Sequence, residues 1–292
     1  SFQAAYLKTH YPAPFMAAVI SNQGGFYSTF AYVSEARRLG LAILGPDVRK
    51  SAIPWKGKGR FLRVGLMAVK GLSRAIMEKI IREREDSGFA DLEDFFSRIR
   101  PRKDEAHALI HSGSLDRMEK NRSRGALLWI YSAWRSQKEQ GSPCLFNAPT
   151  HLPEPPNLPP DLTMDRLRRE FSVLGFLCGC HPIVLYQKAL QGSHTVKADH
   201  LPGHVGKRVK FAGWLISGKT AQTKQGDPMK FLTFEDETGI VETVFFPKSY
   251  ARFCHMLDCG RPYFLSGTVE SEWGAVTLTV DHTGPIPQNT KM

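Results

Sequence analysis

The chain has 292 residues, of which 42% are hydrophobic and 23% charged, and its formal net charge at pH 7 is +11. These values describe an ordinary globular protein that can hold two or three compact units. No apolar run approaches the length of a membrane-spanning helix, and the first residues lack a secretory signal pattern. The chain has five cysteines and no paired C-x-x-C spacing, which predicts a reducing, cytoplasmic environment.

The sequence Cys178-Gly179-Cys180-His181 resembles a metal-binding motif only superficially. Three ligands crowded into four residues, without a distant partner pair, fit a structural zinc site poorly. We therefore predict buried or unreactive thiols, no bound metal and no cofactor in this chain.

Two helices are predicted at the start of the chain. Residues 1–22 read as a helix interrupted by prolines, and residues 30–39 read as a second helix that ends at Gly40. Neither contains a catalytic constellation, so core helices are the simplest interpretation. The sequence begins inside a helical pattern and without an initiator methionine, which favours a piece of a longer protein.

The segment from Val64 to Arg124 organises the chain, and at its centre lies the turn Val69-Lys70-Gly71-Leu72-Ser73-Arg74-Ala75. An apolar residue, a glycine and a small residue before a helical run are typical of a helix-hairpin-helix. Such a turn brings the backbone N–H groups of a helix N-terminus up to a phosphate, and a side chain at Gly71 would block that approach. The candidate DNA-binding residues are Lys70, Gly71, Leu72, Ser73 and Arg74.

Ordinary packing of two helices is the alternative, and these residues alone leave both interpretations open. Charge favours nucleic acid. From Arg49 to Arg124 there are 19 Lys/Arg and 11 Asp/Glu, so this segment holds a surplus of 8 out of a total of 11. Release of counterions by so basic a surface would drive binding to DNA. The predicted second helix carries Lys79, Arg82 and Arg84 on its outer face.

A second hairpin is predicted at residues 108–115, where small residues again separate an apolar helix end from a basic segment. A short helix is expected over residues 91–98 and a longer apolar helix over 127–134. Prolines recur from Pro143 to Pro160 with little periodicity, which indicates a linker or an extended arm. Within it, Ser142, Leu145 and Phe146 form a candidate docking peptide. The alternative is that Leu145 and Phe146 pack back onto the body of the protein. Helical periodicity resumes over residues 162–177.

Beyond Val205 the hydrophobic period becomes alternating. Strands are predicted from Val209 to Leu215 with a bend at Ala212-Gly213, then over 229–236, 240–246, 263–269 and 275–280, with a helix over 247–257. Three strands, a helix and two strands is the order of the five-stranded oligonucleotide-binding (OB) barrel.

The charge of this last segment does not mark it as a nucleic-acid binder, since it has 10 Lys/Arg and 9 Asp/Glu from Leu201 onward. If it binds a single strand, the candidate residues are Lys224, Lys230, Phe231 and Phe245. The alternative is that these aromatic residues form the core of a small barrel.

Several separated motifs resemble one family. In the predicted barrel they are Thr223-Lys224, Gly226, Met229, Phe231-Leu232-Thr233, Glu235-Asp236-Glu237-Thr238-Gly239, Glu242 and Phe246-Pro247. Before it come Gln3, Ala5-Tyr6-Leu7-Lys8, His10-Tyr11-Pro12, Glu35, Arg37-Arg38, Gly40, Pro46-Asp47-Val48, the turn at Gly71 and His181-Pro182. Together they resemble the C-terminal portion of bacterial DNA polymerase III alpha subunits, over nearly the whole chain.

The resemblance implies an α+β multidomain protein, in which an all-α helix-hairpin-helix region is followed by a five-stranded OB barrel. It implies distal fingers helices at 1–50, a tandem helix-hairpin-helix domain at 51–130, a proline-rich arm with a connecting helix at 131–200, and the OB domain at 201–292. The implied partners are primer-template duplex, single-stranded DNA, the sliding clamp and the rest of the polymerase. Clamp binding would involve Ser142, Leu145 and Phe146.

The resemblance also implies DNA replication or repair and a nucleotidyltransferase. The palm of that family holds catalytic aspartates and magnesium, and this chain contains no matching set, so we expect no polymerisation by the chain alone. The family's clamp peptide usually begins with Gln, where this chain has Ser142, and the sequence stops soon after the barrel. The first departure predicts weak or lost clamp binding, and the second favours a shorter or accessory, error-prone branch or a truncation. A non-catalytic DNA-binding adaptor of repair or recombination is the rival hypothesis.

Overall fold

The computed structural model describes residues 2–23, 25–119, 122–139 and 154–287. The chain divides into two compact units, Ser1–Gly179 and Cys180–Met292. None of the helices in the described ranges has the length and apolar character that a membrane-spanning helix requires.

The first unit is mainly helical. Its helices are α1 (Phe2–His10), α2 (Pro12–Asn22), α3 (Thr29–Arg38), α4 (Arg74–Ser87), α5 (Leu92–Ile99), α6 (Lys103–His111), α7 (Arg124–Glu139) and α8 (Thr163–Leu174). Apolar residues at helical spacing on α4 to α7 meet in one core, whose centre is an aromatic cluster of Phe95, Phe96 and Tyr131. The Tyr131 hydroxyl donates to the Pro101 carbonyl at 3.1 Å, so this buried polar group is satisfied.

A small sheet in the first unit was not predicted. Its strands are β1 (Ala42–Leu44), β2 (Lys56–Lys58) and β3 (Phe61–Arg63), in the order β1-β3-β2. Strands of three residues have no alternation long enough to read from a sequence. Gly57 of β2 lies directly against the backbone of α2 at Ala13, where a Cβ atom would collide with the Ala13 carbonyl.

The second unit is a closed five-stranded barrel in the order β4-β5-β6-β8-β7. The strands are β4 (Arg208–Gln222), β5 (Pro228–Glu235), β6 (Ile240–Phe245), β7 (Pro262–Glu272) and β8 (Ala275–Pro285), with helix α9 (Gln187–Leu190) before them and α10 (Pro247–Phe253) after β6. Alternate residues of the strands point inward and fill the barrel with Phe211, Phe234, Phe245 and Leu265.

The predicted fold class is confirmed, and so is the order of three strands, a helix and two strands. One detail of β4 differs. Gly213 lies over the Phe211 ring, in space that no side chain could share, but the irregularity in strand pairing falls further along, between Leu215 and Ser217. Near that point β4 changes partner, since Trp214 pairs with both Pro262 of β7 and Glu235 of β5.

Candidate nucleic-acid interface

The first hairpin turn has the geometry that phosphate binding requires. Gly71 is exposed with a φ of +91°, a conformation that favours glycine. Ser73 is the N-cap of α4, and its Oγ accepts a hydrogen bond from the Ile76 N–H at 3.3 Å. The N–H groups of Gly71, Arg74 and Ala75 have no hydrogen-bond partner among the described residues. The turn therefore exposes free donors at the positive end of the α4 dipole.

The element before this turn is very short. It is a 3-10 helix of three residues, Leu66–Ala68, whose Leu66 is fully buried. Val69 is buried as well, so the apolar residue that precedes the turn anchors it to the core. In this helix-hairpin-helix the first helix is therefore a single 3-10 turn, which the tight turn at Gly71 joins to α4.

Two exposed cations flank the turn. Lys70 donates its backbone N–H to the Val173 carbonyl at 3.1 Å, which ties the turn to the end of α8. Arg74 makes an ion pair with Glu78, with Nε 2.6 Å from Oε1, and both side chains are more than half exposed. Such a pair contributes at most about 1 kcal/mol, so Arg74 can exchange Glu78 for a phosphate at little cost.

A buried carboxylate lies beneath the same turn. Glu105 of α6 is only 5% exposed, and its Oε1 accepts from the Ser73 Oγ at 2.7 Å and from the Ser73 N–H at 3.4 Å. Its Oε2 accepts from the Arg102 N–H at 3.0 Å. Glu105 thus joins the starts of α4 and α6, and it places a negative charge beside the predicted phosphate site. Sequence analysis did not identify it.

The outer face of α4 differs in part from the prediction. Arg82 is exposed, whereas Lys79 donates to the Ile99 carbonyl at the end of α5 at 3.0 Å. The prediction is wrong for Arg84, whose guanidinium donates to the Val48 and Ser51 carbonyls at 3.1 and 2.7 Å. Arg84 is therefore a structural residue that holds the preceding loop.

At the second predicted hairpin, the corresponding site is already filled. α6 ends at His111, and Gly113 follows with a φ of +79°. The next helix, α7, begins at Arg124, whose N–H donates to the Asp161 carboxylate at 2.6 Å. The buried Arg124 guanidinium pairs with Asp116 at 2.8 Å and donates to the His111 carbonyl at 2.6 Å. A carboxylate of the chain itself thus stands where a phosphate would bind.

The four candidate residues of the barrel do not share one surface. Phe231 is 42% exposed on the outer side of β5, opposite Val244 of β6. Lys230 is half-buried and points to the other side of the strand, opposite Phe245. Phe245 is fully buried in the barrel core, so it cannot stack on a base there, and the alternative of a core aromatic describes it. Lys224 is exposed in the β4–β5 turn.

Two exposed residues of the barrel were missed. Lys219 of β4 is exposed directly opposite Phe231. Trp273 is fully exposed at the tip of the β7–β8 hairpin. OB folds bind nucleic acid on the second and third strands and on the loops between strands one and two and strands four and five. Trp273 and Lys224 occupy those two loops. A tryptophan beside the turn residue Gly274 was the signal that could have revealed it.

The acidic run at the end of β5 has structural partners. Glu235 is buried and lies 3.2 Å from His181 Nε2. Asp236 accepts from the N–H groups of Ala198 and Gly239, both at 3.0 Å, and Glu237 pairs with Lys197. No group of three His, Cys, Asp or Glu side chains able to hold a metal lies in the part of the chain that the structure describes.

Cys178 is partly buried, and desolvation of its thiol, together with the nearby Glu170, raises its pKa. The candidate clamp-docking residues Ser142, Leu145 and Phe146 lie outside the described residues, and their role stays a prediction.

A helix-hairpin-helix turn with free backbone donors and an OB barrel with exposed aromatic residues define a nucleic-acid-binding protein. The family model for a helix-hairpin-helix motif matches residues 40–125, and the model for an OB-fold nucleic acid binding domain matches residues 209–286.

Curated relatives that align over nearly the whole chain are bacterial DNA polymerases. An error-prone DNA polymerase of Anaeromyxobacter dehalogenans is 31% identical over 302 residues, covering 98% of this chain and 26% of the relative. The DNA polymerase III alpha subunit of Bacillus subtilis is 30% identical over 280 residues, covering 92% and 25%. That of Thermus aquaticus is 32% identical over 286 residues, covering 92% and 23%.

The chain therefore belongs to the family of bacterial DNA polymerase III alpha subunits and error-prone DNA polymerases, and it fits a C-terminal portion of them. The resemblance inferred from the motifs is confirmed. The chain spans about a quarter of the length of these relatives.

Proposed function

We propose that this chain holds DNA for a bacterial polymerase, with the hairpin turn at Gly71 on the primer-template duplex and the barrel on the single-stranded template. The observation that carries the proposal is the set of free N–H groups at the α4 N-terminus, flanked by Lys70 and Arg74. Backbone donors and lysine or arginine contact phosphates without reading the base sequence, as a polymerase requires.

The barrel supports the second half of the proposal. Its outer surface offers Phe231 beside Lys219, with Lys224 and Trp273 on the two loops that OB folds use. Aromatic rings stack on bases of any sequence, and the neighbouring cations neutralise the backbone. The candidate set for single-strand binding comprises Phe231, Trp273, Lys219 and Lys224. It leaves out Lys230 and Phe245.

The two modules are tested together by titrating the chain with a labelled duplex and, separately, with a labelled single strand. Replacing both Lys70 and Arg74 with alanine is expected to weaken duplex binding about tenfold and to reduce its salt slope by roughly two phosphate contacts. Phe231→Ala is expected to weaken single-strand binding by about 1–3 kcal/mol and to leave duplex binding unchanged.

Phe246→Ala is the matched control, because Phe246 is 45% exposed, close to the 42% of Phe231, but lies beyond the end of β6. Equal losses for both phenylalanines would contradict a specific stacking role for Phe231. Unchanged duplex affinity in the double variant would contradict the assignment of the duplex to the hairpin.

A non-catalytic adaptor of repair or recombination remains the second candidate function, and it would need only the hairpin and barrel modules. The alignments, which also take in the first forty residues, favour the polymerase. Synthesis of DNA would then require the palm of the whole protein with its magnesium ions. Clamp binding, the error-prone branch and the lack of polymerisation by this chain alone stay predictions.

A further inference from the structure

One face of α6 carries a row of basic side chains that the hairpin turns do not use. Lys103, His107 and His111 are spaced four residues apart, so they lie above one another on successive turns of the helix. The rings of His107 and His111 are 5.9 Å apart. α8 packs against α6 and brings the exposed Arg169 close enough to act electrostatically on His111.

Several polar groups of this surface lack hydrogen-bond partners among the described residues. Neither Lys103 nor Arg169 forms a side-chain hydrogen bond or ion pair with another described residue. The Nδ1 atom of His111 is buried without a hydrogen-bond partner in the described part of the chain. Buried ring nitrogens are normally satisfied, so this unpartnered nitrogen is unusual. Lys103 and Arg169 thus leave unpaired positive charge beside the two imidazoles, an arrangement that is suited to an anion.

The row lies between the two hairpin turns. α8 begins just after Asp161, which contacts the N-terminus of α7, and it ends near Val173, whose carbonyl accepts from Lys70 of the first turn. A helix of twelve residues is about 18 Å long, which is the distance over which a duplex backbone presents several phosphates. A duplex bound at the first turn and following α8 would pass over His107, His111 and Arg169.

We propose that His107, His111 and Arg169 bind a phosphodiester of the DNA backbone between the two hairpin turns, with uptake of protons by the histidines. This inference rests on the proposed duplex binding and adds a contact to it. The same side chains could bind a free phosphate ion, so the test must distinguish that ion from a phosphate of the DNA backbone.

The charged groups around the histidines determine the sign of the pH effect. Burial and Lys103 lower the pKa of His107, while Asp104 raises it. Burial, Arg169, His107 and Arg124 lower the pKa of His111, while Asp161 raises it. On α7, the Tyr131 ring also faces His107, and Arg135 bonds to that tyrosine. Both imidazoles are therefore largely neutral at pH 7, and a phosphate dianion or diester beside them favours their protonation.

Duplex affinity should consequently rise as the pH falls, by up to about tenfold per pH unit for each proton bound. We would measure duplex binding by the whole chain between about pH 6 and pH 7.5, the range in which histidine titrates. The variants are the double substitution H107Q/H111Q and the single substitution Arg169→Ala. Arg168→Ala is the matched control, because Arg168 is also exposed but pairs with Asp165 at 3.2 Å.

The expected result is an affinity gain at low pH that is about fivefold larger in the wild-type chain than in H107Q/H111Q, with Arg169→Ala weakening binding several-fold more than Arg168→Ala. The inference would be overturned if the wild-type chain and H107Q/H111Q had identical pH profiles and Arg169→Ala and Arg168→Ala had equal duplex affinities. That result would leave the proposed function intact. Absence of duplex binding in the wild-type chain would overturn both.

Two further measurements complete the test. If H107Q/H111Q does not fold, the imidazole signals of the wild-type chain are followed by NMR while duplex is added, and unchanged titration of both histidines overturns the inference. If inorganic phosphate alone shifts both histidines but duplex does not, the site takes a free anion and the assignment to the DNA backbone is wrong.

Discussion

Gly71→Val is expected to weaken duplex binding by about tenfold or more while the helical content stays unchanged. At a φ of +91° a β-branched residue is strained, so the turn would rotate its N–H groups away from the phosphate. Space is not the limiting factor, because a Cβ atom at this position would be 3.8 Å from the Ala108 Cβ, an ordinary contact. The effect therefore comes from the backbone conformation and from closing the approach to it.

Gly88→Val is the control for this variant. Gly88 lies at the other end of α4 and has a φ of +68°, and a Cβ atom added there would meet no other atom within 4 Å. Both substitutions carry a strain of about 1–3 kcal/mol, which thermal unfolding would show, but only the one at Gly71 should change duplex affinity in an anisotropy titration. Equal duplex affinity of the two folded variants would contradict the assignment of a phosphate site to the hairpin turn.

Glu105→Ala is expected to lower the free energy of unfolding by about 2–3 kcal/mol. The substitution removes a carboxylate that is only 5% exposed and leaves the N–H groups of Ser73 and Arg102 without their acceptor. Glu105→Gln keeps the shape of the side chain and one of its two acceptor oxygens, and it removes the negative charge under the turn. We expect it to destabilise less and to strengthen duplex binding about threefold, since the phosphate no longer faces a carboxylate.

Urea unfolding measures the first effect of the Glu105 variants, and an anisotropy titration with labelled duplex measures the second. Glu78→Ala is the control for stability, because Glu78 is exposed and its one ion pair within the described ranges is with the exposed Arg74, at 2.6 Å. Its cost should stay below about 1 kcal/mol. A Gln variant that binds duplex more weakly than the wild type would mean that Glu105 positions the turn more than its charge opposes the phosphate.

The barrel could be predicted from the sequence because its strands are long enough to show alternation. That pattern separates two faces of a strand but does not say which face is inside. Phe231 and Phe245 were therefore equivalent in the sequence, and only the register, with Phe231 opposite Val244 and Lys230 opposite Phe245, places one outside and the other in the core.

The hairpin site could be predicted only in part. Gly71 and Ser73 are local signals, since a turn glycine and an N-cap serine lie within three residues of the helix they start. Glu105 and Asp161 act at a distance in the sequence. Glu105 accepts from Ser73, the N-cap of α4, which lies 32 residues away. Asp161 accepts from the N–H of Arg124 at the start of α7, which lies 37 residues away. The same holds for Arg84, whose acceptors Val48 and Ser51 belong to a loop that precedes α4 by more than twenty residues.

The proposed function depends most on the contact between a DNA phosphate and the backbone at the start of α4. The most direct measurement is the change in the amide resonances of Gly71, Arg74 and Ala75 when duplex is added to isotopically labelled chain. These three amides are expected to shift downfield together, as N–H groups do when they donate to an anion. The C-terminal turn of α4, around Gly88, should not shift. Saturating duplex that leaves the three amides unchanged while other resonances move would contradict this contact.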